Sequence, residues 1–122
     1  MKIVINIECG GFGLSEKAVR RLAELKGATV IEPKLDLWYN KAAAWAYVEM
    51  ELPDGQLLSV ENVSRNDKDL IAVVEELGGK ASGATAELGI IKIPDDVDWT
   101  IDDYDGTEWV AEKHRTWHYK KP

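Results

Sequence analysis

Residues 8–18 read ECGGFGLSEKA and follow the apolar run Ile3-Val4-Ile5. A strand, a glycine loop and a helix opening at Ser15 is an arrangement in which backbone N–H groups hold phosphate. Gly11-Phe12-Gly13 supplies the first two glycines of a dinucleotide fingerprint. Its third position is Glu16, large and anionic where the helix must pack close beside a pyrophosphate. No lysine follows the glycines as a P-loop requires. What remains is an anion site of a simpler kind: N–H groups near Ser15 to Lys17 at the helix N-terminus, after a loop in which Gly11 and Gly13 leave the Phe12 ring free to stack on a base. The alternative is a tight turn with Phe12 tucked into the core.

The second group of reactive types is the segment KHRTWHYKKP, residues 113–122. In an extended chain alternate residues share a face, so Arg115, Trp117 and Tyr119 fall on one side and His114, Thr116 and His118 on the other. An arginine beside aromatic rings can take a phosphate and stack a base. Arg65, just before a helix, is a second candidate for the anion. The competing role of Arg115 is a surface ion pair with the acidic stretch before it. His114 and His118 have no cysteine pair and no H-E-x-x-H pattern beside them, so no metal site is expected. Asp102, Asp103, Asp105 and Glu108 crowd one turn, where one carboxyl is expected to have a raised pKa. No catalytic residue is assigned. Cys9, the one cysteine, is expected to be a small buried residue and excludes an internal disulfide.

The elements that must position these groups follow from local signals. Lys2 to Ile7 is a strand; Ser15 caps a helix that runs to Lys26 before Gly27. Thr29 to Glu32 is a short strand stopped by Pro33. Pro33 to Ala43 has no clear period and reads as a loop or a single helical turn. Trp45 to Leu52 alternates, and PDGQ at 53–56 turns it into a partner strand at Leu57 to Glu61. A second helix starts at Asn66 or Asp67 and ends at Leu77. Glu87 to Ile93 is a strand, and Asp105-Gly106 joins Val97–Tyr104 to Thr107–Lys113 as a hairpin. The expected fold is one α+β domain over residues 1–122, two helices on a mostly antiparallel sheet.

With 122 residues and 45% hydrophobic content, the chain can bury a core without staples. A net charge of −7 argues against binding a nucleic-acid polymer. No apolar run is long enough to cross a bilayer. The first residues lack the pattern of a signal peptide, so a cytoplasmic protein is expected. Five tryptophans favour a homo-oligomer.

KIVIN, GGFGLS, RND-x-D-L-x-A-V-V-E-E-L-G, IPDDVDW and YDG-x-E-W-V-A-E-K-H-R-T-W together resemble a family of small proteins of phages and prophages. The resemblance covers Lys2–Leu25, Arg65–Gly78 and Ile93–Trp117. The family brings no activity of its own, but small acidic phage proteins are often inhibitors of host defence. The rings and arginines of this chain then point to an anti-defence protein that sequesters a nucleotide-derived immune signal, cyclic nucleotide or cyclic ADP-ribose in type, without turnover; no cofactor is expected. Gly11, Phe12, Gly13, Ser15, Arg65, His114, Arg115 and Trp117 are the candidate ligand residues, with Trp38 as a further stacking ring. Two alternatives stand beside it: an acidic protein that blocks a host protein, and a small hydrolase of a nucleotide signal.

Overall fold

Ile and Val alternate through Lys2–Asn6, and this run is strand β1 in the computed structural model, which describes residues 1–112. Ser15 caps helix α1 (Glu16–Lys26): its hydroxyl accepts from the Ala18 N–H at 3.2 Å. Gly27 ends the helix in the left-handed conformation, φ +64°. Ala18, Val19, Leu22 and Ala23 form the buried face of α1. Asp67 caps helix α2 (Lys68–Leu77), accepting from the N–H groups of Asp69 and Leu70. Leu70, Val73 and Val74 turn the buried face of α2 into the same core.

Between the helices lie β2 (Thr29–Val30), β3 (Glu49–Glu51) and β4 (Leu57–Ser59), paired antiparallel in that order. After α2 come β5 (Leu88–Lys92), which pairs antiparallel with β1 from Lys2↔Lys92 to Asn6↔Leu88, and the hairpin β6 (Trp99–Tyr104) and β7 (Thr107–Glu112). The domain is α+β, as expected. Its strands form three small antiparallel sheets rather than one.

The two α-helices pack on each other, over a core that includes Val4, Leu14, Leu22, Trp45, Met50 and Leu70. Each fully buried side chain of this size contributes roughly 1.5–3 kcal/mol. Lys26, in the last turn of α1, reaches Asp67 at 2.8 Å and Asp69 at 3.1 Å at the start of α2. The pair opposes charges that each helix end favours.

The strand expected over Trp45–Leu52 forms only at Glu49–Glu51. Lys41–Tyr47 is a 3-10 helix instead. Its cap explains why: the Asn40 side chain accepts from the Ala42 N–H at 3.1 Å, and three alanines follow, a composition that favours a helical turn. The turn drives Trp45 into the core at 5% exposure, with the Arg20 guanidinium 4.9 Å from its ring centre.

Candidate functional site

The glycine loop is occupied by the protein itself. The Gly10 N–H donates to the Asp105 carbonyl at 3.4 Å, and Gly106 sits directly on the peptide nitrogens of Gly10 and Gly11. A Cβ on Gly106 would lie 2.5–2.6 Å from those nitrogens, and its φ is +90°. Only glycine fits there. The tip of the β6–β7 hairpin thus covers the peptide nitrogens of Gly10 and Gly11, and beside it an open hollow of about 540 Å³ is lined by Cys9, Gly10, Gly11, Asp105 and Gly106.

Behind the tip, a polar latch joins the hairpin to β1. Glu108 of β7 accepts from both terminal nitrogens of Arg65, at 2.6 and 2.8 Å, and from the Asn6 N–H at 2.8 Å. Arg65 also donates to the Val4 carbonyl at 3.2 Å, and its guanidinium carbon lies over Phe12, 3.5 Å from the ring centre. Asn6 is fully buried. Its amide donates to the carbonyls of Glu8 and Gly106, and its oxygen accepts from the N–H groups of Glu8 and Glu87. That exhausts what the side chain can bond. Burial acts to raise the Glu108 pKa, but the Arg65 and Asn6 bonds outweigh it and hold the carboxyl below its ordinary value. The raised carboxyl pKa expected at this turn is therefore not found at Glu108; its direction is the reverse.

Gly11, Phe12 and Arg65 are brought together, but as structure: the ring and the guanidinium cover each other and Glu108 neutralises the charge. Phe12 packs against the core without being fully buried. The second half of the loop is also engaged. The Gly13 carbonyl accepts from the Gly83 N–H at 2.8 Å, the Ser15 N–H donates to the Ala81 carbonyl, and the Ser15 hydroxyl donates to the Lys80 carbonyl. Cys9, expected to be buried, is exposed; its sulfur accepts from the Thr107 hydroxyl at 3.8 Å. It sits on the loop beyond β1, where the hairpin tip covers the neighbouring glycines and leaves the thiol outside. His114, Arg115, Trp117 and His118 lie outside the described residues.

A cleft of about 390 Å³ opens at the N-terminus of α1, lined by Ser15, Glu16, Leu35, Lys41, Ala42, Trp45 and the turn Ser82–Ala84. Its volume is in the range of small-ligand sites. First-turn N–H groups of α1 have no carbonyl within the helix to receive them, and they give this end of the cleft a positive potential. Glu16 is tied to Arg20 at 2.9 Å. Lys41 forms no ion pair among the described residues. Leu35, Ala42 and Trp45 form an apolar wall. The arrangement can hold a small anion that carries an apolar or aromatic part. The sequence reading found Ser15 but missed Lys41, Leu35 and Ser82; Asn40 followed by three alanines was the signal for the turn that presents Lys41.

On another side of the Lys41–Tyr47 turn, Trp38 stacks on Tyr47 with ring centres 5.6 Å apart. Both are partly exposed, as are Ile31 and Leu37, and Tyr39 is fully exposed. Among the described residues no group of three or more His, Cys, Asp or Glu is placed to hold a metal ion, and no helix is long and apolar enough to cross a membrane. Comparison with family models, with curated proteins and with solved structures returns no match.

Proposed function

We propose that this protein binds a small nucleotide-derived anion in the cleft at the N-terminus of α1 and holds it without turnover. The observation that carries the reading is the meeting there of first-turn N–H groups, Lys41, which forms no ion pair among the described residues, and an apolar wall in about 390 Å³. The phosphate would face the N–H groups of Glu16 and Lys17 and the Lys41 ammonium, and the base or ribose would rest on Leu35 and Ala42. Lys41 brings a cation to the cleft and the Glu16 carboxylate is tied to Arg20, which suits retention of an anion. The resemblance to phage proteins supports an anti-defence role, sequestration of an immune signal in the host cytoplasm.

The test is a thermal-shift screen against cyclic di- and trinucleotides, ADP-ribose isomers, ATP and NAD, with chromatography of the released ligand. A binder present at about 100 times its Kd stabilises by roughly 2.7 kcal/mol. A shift with the ligand recovered intact, lost in Lys41→Glu, agrees with the proposal. An altered ligand makes the protein a hydrolase, and no shift with any compound removes the nucleotide reading.

A second reading rests on the exposed cluster of Leu37, Trp38, Tyr39 and Tyr47, a surface of the kind that marks protein contacts. It makes the protein a blocker of a host protein, and pull-down with Trp38→Ala/Tyr39→Ala as the control separates it from the first.

A further inference from the structure

The register of the β6–β7 hairpin sorts its residues onto two faces. Opposite pairs are Ile101↔Val110 and Asp103↔Glu108 on one, Thr100↔Ala111, Asp102↔Trp109 and Tyr104↔Thr107 on the other. The first face carries Glu108, which is bonded to Arg65 and Asn6. On the second, Thr107 donates to the Cys9 sulfur, and no hydrogen bond or ion pair holds the side chains of Asp102, Tyr104 and Trp109 among the described residues. On it Tyr104 is 78% exposed and Trp109 46%, and the two are diagonal neighbours across the strands. Asp102 lies beside them, exposed, with Asp98 and Asp105 exposed at the two ends of the face. None of these three aspartates forms an ion pair among the described residues.

The chain carries the complement of this face in its own sequence. Residues 113–122, KHRTWHYKKP, hold four of the 15 basic residues, none of the 22 acidic ones, and Trp117 and Tyr119. They begin where β7 ends, at the Trp99↔Glu112 pair, the end of the hairpin opposite its acidic tip. To lie on its own hairpin the segment would have to reverse direction at once, and KHRTWHYKK contains no Gly, Asn, Asp or Pro with which to turn. A second copy needs no reversal. Two hairpins side by side and antiparallel present each segment to the other's face, in a closed two-fold contact.

We propose that this protein self-associates by reciprocal docking: residues 113–122 of each copy lie on the Asp102–Tyr104–Trp109 face of its partner. Lys113, Arg115, Lys120 and Lys121 meet the aspartates, and Trp117 and Tyr119 meet Trp109 and Tyr104. Charge sets the pairing and the rings supply the buried area.

The experiment uses the full chain in sedimentation velocity at low and high salt, with two charge-reversed forms. One carries Lys113→Glu, Arg115→Glu, Lys120→Glu and Lys121→Glu. The other carries Asp98→Lys and Asp102→Lys. The wild type is expected to be a dimer at low salt and to weaken at high salt. Each reversed form alone should dimerise about tenfold or more weakly. Mixed together, they should form a heterodimer, because each segment then meets a face of opposite charge; circular dichroism of each confirms that it is folded. A monomeric wild type, a dimer that survives both reversals, or folded reversed forms that stay monomeric when mixed would each overturn the proposal.

Discussion

Glu108→Ala tests the latch between the hairpin and β1. The carboxylate is 10% exposed and its partner Arg65 19%. The substitution removes the acceptor for both Arg65 nitrogens and for the Asn6 N–H. The guanidinium is left against the Phe12 ring with only the Val4 carbonyl to bond. Removing one partner of a buried pair costs about 3–5 kcal/mol, and the residual exposure of this pair places the loss near the lower end. For a chain of this length that is a fall in Tm of about 10–15 °C. Arg65→Met combined with Glu108→Leu removes both charges, so the double variant should recover much of the loss. Circular dichroism melts of the single and double variants measure this, and hydrogen exchange should show β6 and β7 losing protection first. A Glu108→Ala shift below about 3 °C, or a double variant as unstable as the two singles summed, would show that the latch does not hold the hairpin.

Because Glu108 has a lowered pKa in the fold, its stabilisation is complete above its unfolded value near 4.3 and disappears as pH falls through the folded value; urea melts of Glu108→Gln should be flatter than wild type between about pH 5 and pH 3. Lys26 behaves in the opposite sense: burial lowers its pKa, Asp67 and Asp69 raise it further, and the net shift is upward. Its contribution is therefore complete below about pH 10 and lost as pH rises through the folded value, and Lys26→Met should remove that alkaline fall. Gly106→Ala should destabilise by about 2 kcal/mol or more, since its Cβ meets two backbone nitrogens and its φ is positive; the same melts read it. Asn40→Ala, by loss of the cap on Lys41–Tyr47, should cost about 1 kcal/mol and weaken ligand binding without moving the hairpin.

What could be read from the sequence is what local chemistry dictates. Ser15 and Gly27 bound α1, Asp67 opens α2, PDGQ and Asp105-Gly106 make the two hairpins, and each of these signals lies within a few residues of the element it sets. The alternation through Trp45–Leu52 misled because a capped alanine turn ending in two aromatics mimics a strand period over a few residues. The latch was out of reach for another reason. Arg65 and Glu108 are 43 residues apart, and Asn6 and Gly106 are 100 apart, with no motif linking them. A basic residue before a helix looks the same whether it awaits a phosphate or a buried carboxylate. The glycines were read as part of an anion site or as a tight turn; in the fold, the chain's own backbone at Gly106 approaches them.

The most direct test of the account is an amide chemical-shift titration of the full chain with the best ligand of the thermal screen. The cleft reading predicts shifts at Ser15, Glu16, Lys17, Lys41 and Ser82, their loss in Lys41→Glu, and quiet signals at Gly10, Gly11 and Gly106. Shifts centred on Gly10–Phe12 and Arg65, with opening of the hairpin, would contradict it and return the anion to the glycine loop.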